Sequence, residues 1–168
     1  MEIHLIWTQD RQGAIGQEGA RPSDLPEDTL RFTELTEHSP IIMGKKTWDY
    51  LNKRALSSQQ TVVITRQLAP EGNGRVTFVH TMDEALAVLQ AVEPEHCFII
   101  GGAYTFKTAM PYATRLLVTC VDTQLPHPDA FAPSISPLHW NQVSESPWLT
   151  GKNGVKFFYK EFARVTDV

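Results

Sequence analysis

The sequence predicts an α/β fold in one domain, residues 1–168, with a mainly parallel central sheet flanked by helices and a C-terminal antiparallel strand pair. Three observations carry this expectation. Short apolar, β-branched runs alternate with segments of helical period, the pattern of βαβ units. Two of these runs are apolar throughout, as expected of strands covered on both faces. Beyond Pro137 the pattern changes to two strand-like stretches separated by Pro147, Gly151 and Gly154, the arrangement of an antiparallel closure.

In chain order the strand candidates are Ile3 to Trp7, Ile41 to Met43, Thr61 to Thr65, Val76 to Val79, Phe98 to Ile100 and Leu116 to Val121. Ile41-Ile42-Met43 and Phe98-Ile99-Ile100 are the continuously apolar pair and belong at the centre, whereas Val76-Thr77-Phe78-Val79 suits an edge. The closing pair is Asn141 to Ser146 with Val155 to Phe162. Thr81 and Glu84 stand in capping-box spacing ahead of Leu86 and Leu89, which marks a helix start. Two long stretches, Gln9 to Asp24 and the proline-rich Thr123 to His139, read as irregular loops, and loops of that length in a compact domain are commonly functional lids.

Composition narrows the partners. A hydrophobic fraction of 42% and a charged fraction of 20% exclude a disordered or fibrous chain. The net charge of −4, with Lys and Arg scattered, argues against nucleic acid. No apolar run approaches the roughly 18 residues of a membrane span, and the first residues lack a basic region with an apolar core, so a cytoplasmic location is expected. Cys97 and Cys120 lie in apolar runs and read as buried, reduced thiols. The dispersed histidines, with His127 and Asp129 in a proline-rich stretch, give no metal site. A monomer acting on a small molecule is the expectation.

The segment Leu25 to Leu35 opens a helix, with Asp24 placed to cap it and Pro26 in its first turn. Counted at about 100° per residue from Leu25, Asp28 falls near 300°, between Leu35 near 280° and Phe32 near 340°. Glu27 and Glu34 fall at about 200° and 180° on the same count, where they can face water. Asp28 is therefore a carboxylate on an apolar stripe, costly unless paired or hydrogen-bonded. Two readings stand: a functional carboxylate, or a first-turn acid held by the helix dipole.

Ile41-Ile42-Met43-Gly44-Lys45-Lys46-Thr47-Trp48 reads as strand, glycine turn and helix start, where free amides and two lysines favour an anion such as phosphate. Arg66 follows the next strand at the same sheet edge. Phe98-Ile99-Ile100-Gly101-Gly102-Ala103-Tyr104 repeats the strand–glycine–helix pattern. Two such turns in one sheet point to a dinucleotide, though neither carries the Gly-x-Gly-x-x-Gly fingerprint.

Taken together, Ile15-Gly16, Pro22 with Leu25-Pro26-x-Asp28 and Phe32, Ile42 to Trp48, Ile100-Gly101-Gly102 and Val118-Thr119 resemble the dihydrofolate reductase family over nearly the whole chain. The resemblance implies that fold, NADPH as cofactor, and reduction of 7,8-dihydrofolate to tetrahydrofolate by hydride transfer to C6 and protonation of N5, in the service of one-carbon metabolism. It implies that Asp28 holds the pterin, with Thr119 supporting it directly or through water. Ile6, Trp7, Leu25, Thr29, Phe32, Leu51, Leu56 and Phe106 would line the substrate pocket. Thr8, Ile15 and Gly16 would meet the nicotinamide; Gly44, Lys45, Lys46, Thr47, Thr65 and Arg66 the phosphates and adenosine; and Gly101, Gly102, Ala103, Tyr104, Thr105 and Phe106 the pyrophosphate and nicotinamide. The chain departs from the family pattern at Ser23, where Trp is common, at Ala103 and Phe106, and at Gln59, which stands where the family has the arginine that grips the glutamate tail. A reductase of tail-free pteridines or pyrimidines and a non-catalytic dinucleotide- or folate-binding module are the competing readings.

Overall fold

The computed structural model describes residues 1–18, 21–22, 24–51, 60–68 and 71–166. Among these, nine strands form one sheet in the order β10-β11-β7-β1-β6-β3-β4-β5, with β9 also pairing β11. β1 (Glu2–Gln9) lies between two parallel neighbours, β6 (His96–Ile99) and β7 (Arg115–Val121). β3 (Ile41–Gly44), β4 (Thr61–Ile64) and β5 (Val76–Val79) extend the parallel part, with β5 at the edge. The expected mainly parallel sheet is thus what the chain forms.

Pleating explains why both faces are apolar. Along β1, Leu5 and Trp7 join a cluster with Ile42, Ile99 and Leu116, while Ile6 points the other way to Phe98 and Leu117. The first face is covered by α3 (Met82–Gln90) and α4 (Ala103–Ala109) through Leu86, Leu89 and Phe106. The second is covered by α1 (Pro26–Thr36) through Phe32 and by α2 (Lys45–Tyr50) through Trp48.

α3 starts as expected: the Glu84 amide donates to Thr81 Oγ1 at 3.1 Å. The returning carboxylate takes the amide of His80 at 3.0 Å, one residue earlier than the usual capping box. α1 starts differently from the expectation. Asp24 is exposed and is not the cap; the cap position is Leu25, without a side-chain hydrogen bond. The physical reason is burial, since Leu25 is 1% exposed and packs on Val121 and Phe157, which fixes the chain before the first turn. Leu35, placed on the stripe by periodicity, is 36% exposed, and the buried position of the last turn is Thr36 instead.

The C-terminal closure is present and more elaborate than a pair. β11 (Lys156–Arg164) runs antiparallel to β7 and also pairs β9 (Trp140–Glu145) and β10 (Leu149–Thr150). The two stretches read as irregular also contain strands. β2 (Ala14–Gly16) and β8 (Ala130–Phe131) form an antiparallel ribbon, braced by Asp129 N to Gly16 O at 3.0 Å and Ala132 N to Gly13 O at 2.9 Å. Three-residue and two-residue strands so distant in sequence leave too short a pattern to read locally. Both cysteines are free and buried, and burial pushes the Cys97 thiol up to about 12. Among the described residues no helix is long and apolar enough to cross a membrane, and no cluster of metal-binding side chains occurs.

Candidate active site

Asp28 reaches the sheet because the first turn of α1 is anchored by Leu25, whose carbonyl accepts the amides of Asp28 and Thr29 at 3.0 and 3.1 Å. Asp28 and Thr36 are the buried residues of that helix; Asp28 is 8% exposed. Glu27 turns instead to the loop before β11, where Oε1 accepts the Lys152 amide at 2.8 Å.

Opposite Asp28, Thr8 and Thr119 are register partners on β1 and β7, so their side chains rise side by side on the same face. Thr119 Oγ1 donates to Asp28 Oδ1 at 2.6 Å, and Thr8 Oγ1 donates to Oδ2. Two charge-assisted bonds offset the desolvation of the carboxylate, and each oxygen keeps a lone pair for a further donor. The support from Thr119 is therefore direct. Ile6, Phe98 and Leu117, with Phe32 and Ile100, make the apolar wall beside the carboxylate. Tyr159 on β11, the register partner of Thr119, packs on the neighbouring cluster of Leu25, Val121 and Phe157. Burial first, and then the charge of Asp28, push its hydroxyl above the usual tyrosine value, while the Arg31 guanidinium lies 4.0 Å over its ring.

The two glycine turns come together at the C-terminal edge of the sheet. Gly44 N donates to Gly101 O at 2.7 Å, and a Cβ on Gly44 would stand 2.6 Å from Thr105 Oγ1. Gly101, at φ +130, is joined to Gly102 by a cis peptide bond, and a Cβ on it would meet Thr47 Oγ1 and the Phe106 ring at 3.5 Å. The result is a cradle walled by backbone, with room that side chains would fill. At its flank Thr65 is buried, and Arg66 is exposed with its guanidinium 4.4 Å over the ring of Tyr104. The two lysines are not equivalent, contrary to the simple reading of the motif. Lys45 pairs with Asp49 at 2.7 Å one turn along α2, whereas Lys46 and Arg66 form no ion pair among the described residues.

The structure sorts the remaining candidates. Trp7 lies on the opposite face from Ile6 and Thr8, with its indole 5.4 Å from the Phe106 ring beneath the second glycine turn, and so sits away from Asp28. Leu51 is half-buried against the cluster containing Trp48, and Thr29 is exposed. Ile15 and Gly16 lie on β2, and Ala103 is half-buried at the start of α4. Leu56, Ser23 and Gln59 lie outside the described residues, as do Lys53 and Arg54.

Three features escaped the sequence reading. Thr8 is a partner of Asp28, which only the register between β1 and β7 discloses. The Arg31–Tyr159 contact joins residues distant in the chain. Asp10, 2% exposed, accepts the amides of Gln12, Ala14 and Leu125 at 2.8, 2.9 and 2.8 Å, tying both long loops to the end of β1. Arg11 adds a 2.5 Å bond to Asp122, whose carboxyl it holds below the usual carboxylate range.

Comparison with known proteins gives a consistent result. A family model described as dihydrofolate reductase matches residues 2–164. The dihydrofolate reductase of Mycobacterium leprae is 36% identical over 166 residues, covering 96% of this chain and 98% of that protein. That of Neisseria meningitidis serogroup B is 32% identical over 164 residues, covering 98% and 99%. Among solved structures, the Enterococcus faecalis dihydrofolate reductase complexed with NADP(H) and RAB-propyl superposes with a TM-score of 0.86 at 29% identity, covering 98% of this chain and 97% of that one.

Proposed function

The chain belongs to the dihydrofolate reductase family, and on that premise we propose how its own residues serve the reaction, NADPH-dependent reduction of 7,8-dihydrofolate to 5,6,7,8-tetrahydrofolate for one-carbon metabolism. The observation that carries the reading is the buried carboxylate of Asp28 with a threonine hydroxyl on each oxygen, beside an apolar wall. A pterin edge presents a 2-amino group and N3 in line, and a carboxylate with free lone pairs is the matching acceptor pair. Thr8 and Thr119 hold that carboxylate in one orientation.

Bound in the cradle, NADPH would supply the hydride that C6 of the pterin accepts. Asp28 keeps the ring at the angle that exposes C6, and its negative charge favours the ring protonated at N5. Ile6, Phe32 and Leu117 exclude water from the ring faces, which strengthens that electrostatic effect. The backbone cradle of Gly44 and Gly101 to Thr105 suits a pyrophosphate. Lys46 and Arg66 are the cations at hand for a 2′-phosphate. We assign these roles to residues 1–168 acting as a single unit, a cytoplasmic monomer whose partner is a small molecule.

The test is an absorbance assay of NADPH oxidation with dihydrofolate, run beside a dihydropterin lacking the glutamate tail. Oxidation that requires dihydrofolate is the expected result. Absence of turnover with either substrate would overturn the reading, and turnover with the tail-free pterin alone would move the substrate to that class.

A further inference from the structure

On the outer side of α4, away from Asp28, a cleft of about 780 Å³ opens between that helix and the proline-rich segment leading into β9. Its size is within the roughly 300–1,000 Å³ typical of small-molecule sites. Met110, Phe131, Pro133 and Trp140 supply apolar walls, and Lys107, His139 and Arg164 also line it. No carboxylate lines it. Arg164 is fixed there: Nε donates to Ala113 O at 2.7 Å, a terminal nitrogen donates to Met110 O, and the guanidinium lies 4.6 Å from the Trp140 ring. Its other terminal nitrogen, Nη1, takes no acceptor among the described residues, and Lys107 makes no ion pair among them.

We propose that this cleft is a second ligand site, apart from the pterin site and adjoining the dinucleotide cradle, for a small planar aromatic anion such as an aryl carboxylate. Two fixed cations, Lys107 and Arg164, without a balancing acid select for negative charge, and His139 adds a ring nitrogen for a hydrogen bond. Aromatic and proline walls select for a flat ring that can also lie against a guanidinium. Neither feature is needed to hold a pterin at Asp28. Ala103 and Tyr104, which belong to the cradle that we assign to NADPH, also line the cleft, so the two sites share that edge while Gly44, Gly101, Gly102 and Thr105 lie outside the cleft. A ligand bound here touches the same helix that carries the second glycine turn.

The probe is 2-naphthoate, titrated into the ¹⁵N-labelled full chain with and without saturating NADPH and followed by amide and indole shifts. Shifts centred on Met110, Phe131 and the Trp140 indole, persisting under NADPH, are the expected result. Lys107→Glu should weaken binding by about tenfold or more, the loss of one charge-assisted contact, and neutral naphthalene-2-carboxamide should bind more weakly than the acid by a similar factor. Lys107 is exposed on α4 and away from the assigned machinery, so the turnover of dihydrofolate by the variant should stay as in the parent and certifies its folding. Full displacement of 2-naphthoate by NADPH, equal binding by the carboxamide, or no effect of Lys107→Glu would each overturn the proposal. Failure of NADPH to bind at all would instead count against the cofactor assignment, which the titration without NADPH keeps distinct.

Discussion

At Asp28 the physics of one buried charge decides most of the chemistry. Asp28→Asn keeps the size and removes the charge, so hydride transfer at pH 7 is expected to fall by about 10²–10⁴, the range for positioned acid–base groups. The deficit should shrink as pH falls, because the substrate then collects its proton from solvent; single-turnover rates from pH 5 to 8 check this. Thr119→Val is a subtler probe. Thr119 is 1% exposed and its hydroxyl bonds Asp28 at 2.6 Å, so the isosteric change strips a donor from a buried carboxylate. A loss of roughly 1.5–3 kcal/mol in stability is expected from urea unfolding, together with a lower kcat/KM. An unchanged unfolding midpoint would show that the bond is not made in solution. The sequence disclosed Asp28, because a single acid on an apolar helical stripe is a local anomaly. It could not disclose Thr8 as partner, because that depends on which two strands meet and in what register.

Between residue and molecule stand the turns and strands that bring groups together. Gly44 shows how tightly two such elements meet, since a Cβ there would stand 2.6 Å from Thr105 Oγ1. Gly44→Ala is expected to cost about 1–3 kcal/mol by overpacking and to weaken NADPH binding, while Gly44→Ala combined with Thr105→Ala should recover part of both. Isothermal titration of the single and double variants measures the coupling; strict additivity would mean that the two turns do not touch. Arg66, held over Tyr104, belongs to the same edge. Arg66→Ala should narrow the preference for NADPH over NADH, and equal affinities of the parent protein for both would refute its role. Both turns were legible because glycine after an apolar strand is a strong local signal. The β2–β8 ribbon was not, since strands of two and three residues have no period, and Asp10, which ties those loops, looks like any acid after a strand.

The whole molecule adds constraints that no single element contains. His4 on β1 and His96 on β6 stack at 5.4 Å, with Glu2 3.5 Å from His4 Nε2 and Arg115 close by. Burial leads in holding the His4 imidazole below its ordinary value of 6.5. The neutral form is thus favoured by folding: its contribution is present above pH 6.5 and is lost as pH falls through the depressed value. The melting temperature should drop between pH 7 and pH 5, and less so in His4→Gln; parallel profiles for the two proteins would exclude His4 as a cause. The fold class was legible in outline, as the central β3 and β6 and the edge strand β5 show by composition alone. The position of β11 beside β7 was not, because an antiparallel strand inserted next to a parallel one carries no mark in its own residues. The place of β1 between β6 and β7 bears on the order of events when the chain folds. Ile3 N bonds Thr114 Oγ1 across 111 positions, so Leu5, Ile6 and Trp7 find their neighbours only after most of the chain exists. A growing or refolding chain carries that apolar strand with both edges open, the kind of segment that aggregates or is bound by chaperones, and closing a sheet of such separation is slow. The strand that anchors the active site is therefore made before both strands that satisfy it.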